Sequence, residues 1–253
     1  MRLSELDRWL SGYLDLSATS GIDAALNGLQ VGDRTVDVAR AAFAVDASLE
    51  AFRRAAEWKA GLLVVHHGIF WSPPQCIVGP MFERIRFLME KGLALYAAHL
   101  PLDIHGEVGN NAGLCRQIGL VELEPFGTRR GVKIGLKGRF PEPLALDEII
   151  ARLSARQGEQ MRSLPFGPAA VRSVGVVAGN AAWAAPRASE EGLDLFITGE
   201  PSHEIYHHCL EARIHAIFAG HYHSESYGVR ALAGKLSRET GVETTYLDVP
   251  TGL

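Results

Sequence analysis

The chain has 253 residues, 47% hydrophobic and 21% charged, with a formal net charge of −4. This is the composition of a globular protein able to bury a sizeable core, and its mild acidity argues against electrostatic capture of nucleic acid or anionic lipid. The three cysteines, Cys76, Cys115 and Cys209, are far apart and form no CxxC, which excludes a disulfide framework or thiolate zinc cluster and points to a reducing, cytoplasmic setting.

The opening segment MRLSELDRWLSGYLDL reads as an amphipathic helix without the apolar centre of a signal peptide. No apolar run reaches membrane-spanning length, so no membrane partner is expected. A turn follows at Asn27–Gly28, then a strand over VARAAFAVDAS (38–48) and a helix over SLEAFRRAAEWKA. LLVVHH is the next strand, FERIRFLMEKG a helix ending at Gly92, and LALYAAHLPLD (93–103) a third strand running into a loop. Along that third helix Met81, Phe82 and Met89 read as a core-facing row. GNNAGLCRQIG begins a further helix, GVKIGLKGRF is a strand and ALDEIIARLSARQ a helix. The alternation then resumes through VRSVGVVAGN, a helix near 186–192, LDLFITGE, the helix SHEIYHHCLEA, IHAIFAGH, the helix ESYGVRALAGKLSRETG and VETTYLDVP. Strand–helix–strand order of this kind predicts parallel pairing with helices on the sheet faces, an α/β protein in two lobes, 1–125 and 126–253.

In open α/β sheets ligands gather at the carboxyl ends of strands. Those ends carry Asp46, His66–His67, His99 with Asp103, Gly179–Asn180, Thr198–Gly199–Glu200, and His221 through Glu225. Adjacent residues of a regular strand point to opposite faces, but the last residue before Gly68 is already turning, so two imidazoles there have a route to one region. His221 and Glu225 are four apart, which places both on one face if a helix starts near Tyr222. Three neutral nitrogens and two carboxylates make a donor set for Zn, Fe, Mn, Co or Ni, and for neither Ca²⁺ nor a thiolate cluster. Two such ions sharing a carboxylate activate water or clamp an oxyanion. The alternative reading of each histidine taken singly is a satisfied core or surface group.

Other residues have paired readings. Asp46 reads as a helix N-cap or a site carboxylate. His99 and His223 read as catalytic acid/base groups or as supports for the ligands. His203, His207 and His208 in HEIYHH miss the HExxH spacing, and read as an exposed helix face or a substrate contact. Glu200 reads as a partner of a metal-bound water or of a ligand histidine, Cys76 as a plain loop cysteine, and Phe70–Trp71 as a wall beside the histidines.

HHGIFW, HLPLDIHGEVGNN, ITGEPSHE and AGHYHSE, together with NGLQVG (27–32) and YLDVP, resemble the Nif-three-like family (NGG-interacting factor three-like proteins), whose members often carry the name GTP cyclohydrolase I type 2 homologue. The resemblance spans nearly the whole chain and matches the compact bacterial form, with no inserted third domain. It implies a two-lobed αβα sandwich, a toroidal hexamer, and a dinuclear metal site in the cleft between lobes. Carried over, one ion takes His67 and Asp103, the other His66 and His221, and Glu225 bridges. The chain departs from the family at VVAGNAAWAA, where Ala178, Gly179, Asn180 and Ala181 replace a glycine-richer turn. The resemblance and the donor chemistry together imply a metal-dependent hydrolase using an activated water. The alternatives are a metal-handling or cofactor-assembly factor without turnover, and a metal-locked hexameric scaffold or regulator.

Overall fold

A computed structural model describes residues 1–154 and 161–253. In chain order the elements are α1 (Leu3–Tyr13), β1 (Gly28–Val31), β2 (Arg40–Asp46), α2 (Leu49–Glu57), β3 (Leu62–His67), α3 (Gly79–Lys91), β4 (Ala94–Ala97) and α4 (Leu100–Ile104). They continue as α5 (Asn110–Ile118), β5 (Val121–Arg129), β6 (Val132–Leu144), α6 (Leu146–Ser154), β7 (Arg162–Pro165), β8 (Val171–Val176) and α7 (Ala185–Glu190). The last are β9 (Leu195–Thr198), α8 (Ile205–Ala212), β10 (His215–Phe218), α9 (His221–Ser224), α10 (Ser226–Thr240) and β11 (Glu243–Tyr246). The helix expected over ALDEIIARLSARQ matches α6, and its end from residue 155 lies outside the described residues.

The chain forms two compact units. The first comprises Met1–Val108 with Gly228–Val249, the second Gly109–Tyr227 with Pro250–Leu253. The division expected at 125/126 follows chain order, whereas these units do not. β11 leaves its sequence neighbours and pairs in parallel with β2, because its polar, incompletely buried ETTY suits an edge position beside a strand that is buried on both faces.

The sheet of the first unit has the order β1-β4-β3-β2-β11. β2, β3, β4 and β11 run parallel, and β1 closes the other edge antiparallel to β4. The leading residues of β3, Leu62 to Val65, are fully buried, the continuous apolar run of a strand covered on both faces. On one face Leu63 and Val65 share a core with Phe52, Leu88 and Leu95; each such side chain contributes about 2 kcal/mol of transfer free energy. The β2–β3 register sets Asp46 opposite His67, so both strands deliver polar side chains at the same sheet edge.

The sheet of the second unit has the order β5-β6-β8-β9-β10-β7. β8, β9 and β10 are parallel, and β5, β6 and β7 pair antiparallel. Its core joins Leu114, Phe140, Ile149, Val174, Leu195 and Ile217. β1, β5 and β7 were not anticipated; each is an edge or hairpin strand whose apolar alternation is too weak to stand out locally.

Two further expectations change. The strand expected over 93–103 ends at Ala97, and Asp103 lies on the short helix α4. Pro101 in the first turn of that helix forfeits no intrahelical bond, so the sequence LPLDI nucleates helix directly. The expected core row of α3 is met only in part: Met81 packs against the first core and Leu88 is the helix's one fully buried residue, while Phe82 and Met89 are 49% and 71% accessible.

Candidate metal centre

In the first unit, β3 delivers His66 and His67 at its carboxyl end. His66 is fully buried, and its Nδ1 lies 2.9 Å from the carbonyl oxygen of Ala98. A carbonyl only accepts, so Nδ1 carries the proton and Nε2 keeps its lone pair. His67 Nδ1 lies 2.8 Å from Asp46 Oδ1, and His99 Nδ1 lies 2.7 Å from Asp23 Oδ1. Each carboxylate draws the ring proton to Nδ1 in the same way, the arrangement that orients ligating histidines. One donor atom from each of His66, His67 and His99 falls within 4.8 Å of the other two. Asp103, 7% exposed, brings Oδ1 to 3.6 Å from His66 Nε2. Two donors about 2.1 Å from a tetrahedral ion stand about 3.4 Å apart, so this spacing fits a shared ion.

The rings of His66 and His67 are 4.7 Å apart; they do not diverge as mid-strand neighbours would. The chain turns immediately at Gly68, where a Cβ would come 2.6 Å from Ala97 Cβ and 2.4 Å from the Gln30 amide. Glycine is required there by close approach. Gln30 Oε1 accepts from the Ile69 amide at 2.8 Å, and Asn27 Oδ1 from the His99 amide at 2.7 Å. Trp71 meets His99 edge-on with centroids 5.0 Å apart and so walls the cluster, while Phe70 packs onto the first core.

Asp23 is the hub beneath His99. It also accepts from the amides of Ala25 at 2.9 Å and Leu100 at 3.0 Å, and from Asn27 Nδ2 at 2.8 Å. Burial pushes its carboxyl up, but the hydrogen bonds from His99, Asn27 and Ala25 outweigh it and hold the group below the usual range. Asp46 is not a helix cap: Ser48 Oγ accepts from the Ala51 amide at 3.1 Å and caps α2, which leaves Asp46 to His67.

In the second unit, Gly220 at φ +82° turns the chain into α9 and sets His221 at its start. His221 Nδ1 lies 2.5 Å from Glu200 Oε1, and Nε2 lies 3.1 Å from Glu225 Oε2. The helix expected over ESYGVRALAGKLSRETG matches α10, and the short helix α9 precedes it, with Glu225 at the junction of the two. Glu225 is 3% exposed. The altered turn keeps the one glycine this carboxylate needs: Gly179 has φ +67°, and a Cβ there would sit 2.1 Å from Glu225 Oε1. Ser224 Oγ accepts from the Gly179 amide at 3.0 Å. Asn111 ties the same turn to β6, its Oδ1 accepting from the Ala178 amide and its Nδ2 donating to the Ile134 carbonyl, both at 2.8 Å.

The remaining histidines separate. His223 lies on α9 with its ring against Tyr222, centroids 5.7 Å apart. His208 Nε2 is 2.8 Å from Ser189 Oγ, His207 is exposed and edge-on to Tyr206, and His203 is exposed. Cys76 is an exposed loop thiol. The sequence offers no site role for Asp23, Asn27, Gln30 or Asn111. Asp23 and Asn27 stand four apart at the entry to NGLQVG, a segment that by itself signals only a turn.

A family profile described as Duf34/NIF3 (NGG1p interacting factor 3) matches residues 1–251. The chain is 45% identical to a Deinococcus radiodurans protein named GTP cyclohydrolase 1 type 2 homolog, covering 98% of this chain and 94% of that one. It is also 45% identical to an Archaeoglobus fulgidus protein of the same name, with both chains covered in full. Among solved structures, TTHA1606 from Thermus thermophilus superposes with a TM-score of 0.91 at 42% identity, over 100% of both chains. HcgD from Methanocaldococcus jannaschii, at 22% identity, shares the fold with a TM-score of 0.85 over 98% of both chains.

Proposed function

Because the chain belongs to the Duf34/NIF3 family, we propose that it is a dinuclear metal-dependent hydrolase whose ions are held by His66, His67, Asp103, His221 and Glu225. The observation that carries the reading is the hydrogen bonding of the imidazoles. His66, His67, His99 and His221 each commit Nδ1 to a carbonyl or carboxylate, which turns Nε2 into an electron-pair donor. The spacing of Asp103 from His66 favours that pair on one ion, in place of the His67–Asp103 pairing that the resemblance implied. Glu225 serves both ions. When bound, divalent transition metals supply Lewis acidity that activates water for attack on a carbon or phosphorus centre.

The chain's own residues do the rest. Asp46, Asp23 and Glu200 hold the imidazoles in one tautomer and one orientation. Trp71 shields the histidine cluster on one side. His99, 18% exposed and backed by a carboxylate, supplies either a further ligand or a proton-accepting nitrogen. Relatives named GTP cyclohydrolase 1 type 2 homolog make ring-opening hydrolysis of a purine nucleotide one member of the substrate class to test. Self-association into a ring is part of the same reading, supported by the exposed apolar residues Ile77, Val78, Phe82 and Met89. So is a cytoplasmic location, supported by three free cysteines and by the absence among the described residues of any helix long and apolar enough to cross a membrane.

The test is metal analysis of anaerobically purified protein beside Glu225→Ala. Wild type is expected to hold two equivalents and the variant one or none; two equivalents in both would remove the bridging carboxylate. Assays on phosphoesters, cyclic amides and nucleotides with the native metal restored then address hydrolysis. Absence of turnover with readily exchanged metal would favour metal handling.

A further inference from the structure

The second unit carries a groove that the metal donors do not use. At the carboxyl ends of β9 and β10, a cavity of about 430 Å³ is lined by Arg162, Glu200, Pro201, Phe218, Gly220 and Leu253 among others. A second cavity of about 410 Å³ shares Arg162, Pro201 and Phe218 with it and continues to Ser202, His203 and Tyr206. Both volumes lie in the range of small-molecule sites. Glu200 is the link to the chemistry: its Oε1 holds His221 Nδ1 at 2.5 Å, so the groove ends one hydrogen bond from a proposed ligand.

Three features give the groove its chemistry. Arg162 is exposed and makes no ion pair or side-chain hydrogen bond among the described residues, which leaves a planar fork of donors suited to phosphate or carboxylate. Tyr206 is 41% exposed, yet its ring is braced edge-on by Phe166 at 5.3 Å and by His207 at 5.3 Å. A ring held at right angles by two neighbours offers a fixed face for stacking. Glu200 carries a second carboxylate oxygen, Oε2, with no hydrogen bond among the described residues, an acceptor for an N–H or O–H donor.

We propose that this groove is the substrate-binding site, and that it takes an aromatic organic anion. The ring lies on Tyr206, the phosphate or carboxylate pairs with Arg162, and a hydrogen-bond donor at the ligand's other end meets Glu200. The groove thereby accounts for Tyr206 of α8, which the metal reading leaves without a role. The proposal deepens the hydrolase reading and rests on it for the meaning of the Glu200 end.

The probe is 8-anilinonaphthalene-1-sulfonate, an aromatic anion, titrated by fluorescence into the full chain with and without added metal. Phenyl phosphate and phenylacetate serve as competitors and benzyl alcohol as the uncharged control. Saturable binding is expected, displaced by one or both anions and not by benzyl alcohol; the stronger competitor identifies the head group. Arg162→Gln should weaken binding about tenfold or more, Arg162→Lys less, and Tyr206→Ala by a comparable factor, all with wild-type metal content. Unchanged binding in both Arg162→Gln and Tyr206→Ala, or equal displacement by benzyl alcohol, overturns the proposal. Arg162-dependent binding in protein that loads no metal would uphold the groove and sink the metal reading. Normal metal loading without Arg162-dependent binding would do the reverse.

Discussion

His66, His67, His99 and His221 each spend Nδ1 on a different acceptor, three carboxylates and one carbonyl. The imidazoles were conspicuous in the sequence because HHG follows four aliphatic residues. The acceptors were not, since Asp23, Asp46 and Glu200 lie 76, 21 and 21 positions from the rings they orient and only the sheet register brings them together. Asp46 in particular carries a local signal, an acidic residue just before a helix, that fits capping equally well; Ser48 takes that role. The weight of these acceptors is measurable. Asp23→Asn preserves the shape but replaces one acceptor with a donor, and so sets the amide against the Nδ1 proton of His99 or the amide of Leu100. If His99 is a ligand, metal affinity should fall about 10- to 100-fold with the fold intact, read by competition against a chelator and checked by circular dichroism. A variant that binds metal like wild type would leave His99 outside the coordination shell.

Helices and interior parallel strands were legible as elements because their periodicity is local; β1, β5 and β7 were hidden because edge strands alternate weakly and take their identity from a partner. The β4–α4 corner shows the same limit in reverse. LALYAAHLPLD is apolar throughout, and only Pro101 marks where strand yields to helix, which moves Asp103 from a strand end to a helical turn. Elements also decide which thiols react. Cys115 on α5 and Cys209 on α8 are fully buried, and burial pushes their thiols up to about 12 and about 11. The thiolate is the reactive form, so at neutral pH both should be inert while exposed Cys76 reacts. A chromogenic disulfide reagent is expected to titrate one thiol in the native protein and all three in denaturant. Rapid modification of more than one in native buffer would contradict this burial.

At the scale of the molecule, α3 is the clearest departure from expectation. Its apolar row reads as core by spacing, yet Phe82 and Met89 face outward, next to exposed Ile77 and Val78. Spacing reports that a face is apolar; it does not report whether the covering surface belongs to the same chain. Several large apolar side chains grouped on one segment are the mark of an interaction surface. Met89→Glu should therefore lower the mass seen by light scattering toward that of one chain, without loss of helical signal. An unchanged assembly would place the contact elsewhere.

The pairing of β11 with β2 also has a temporal side. Synthesis runs from the N-terminal side, so most of the first unit emerges early, but the strand that completes its sheet comes from residues 243–246. Until then β2 has an open border, with backbone groups available to a stray strand. The second unit draws its strands from 121–218 and has its whole sheet sooner. A nascent chain stalled before residue 243 should thus show a protease-resistant second unit while the first is still digested, so the sheet begun first is the sheet finished last.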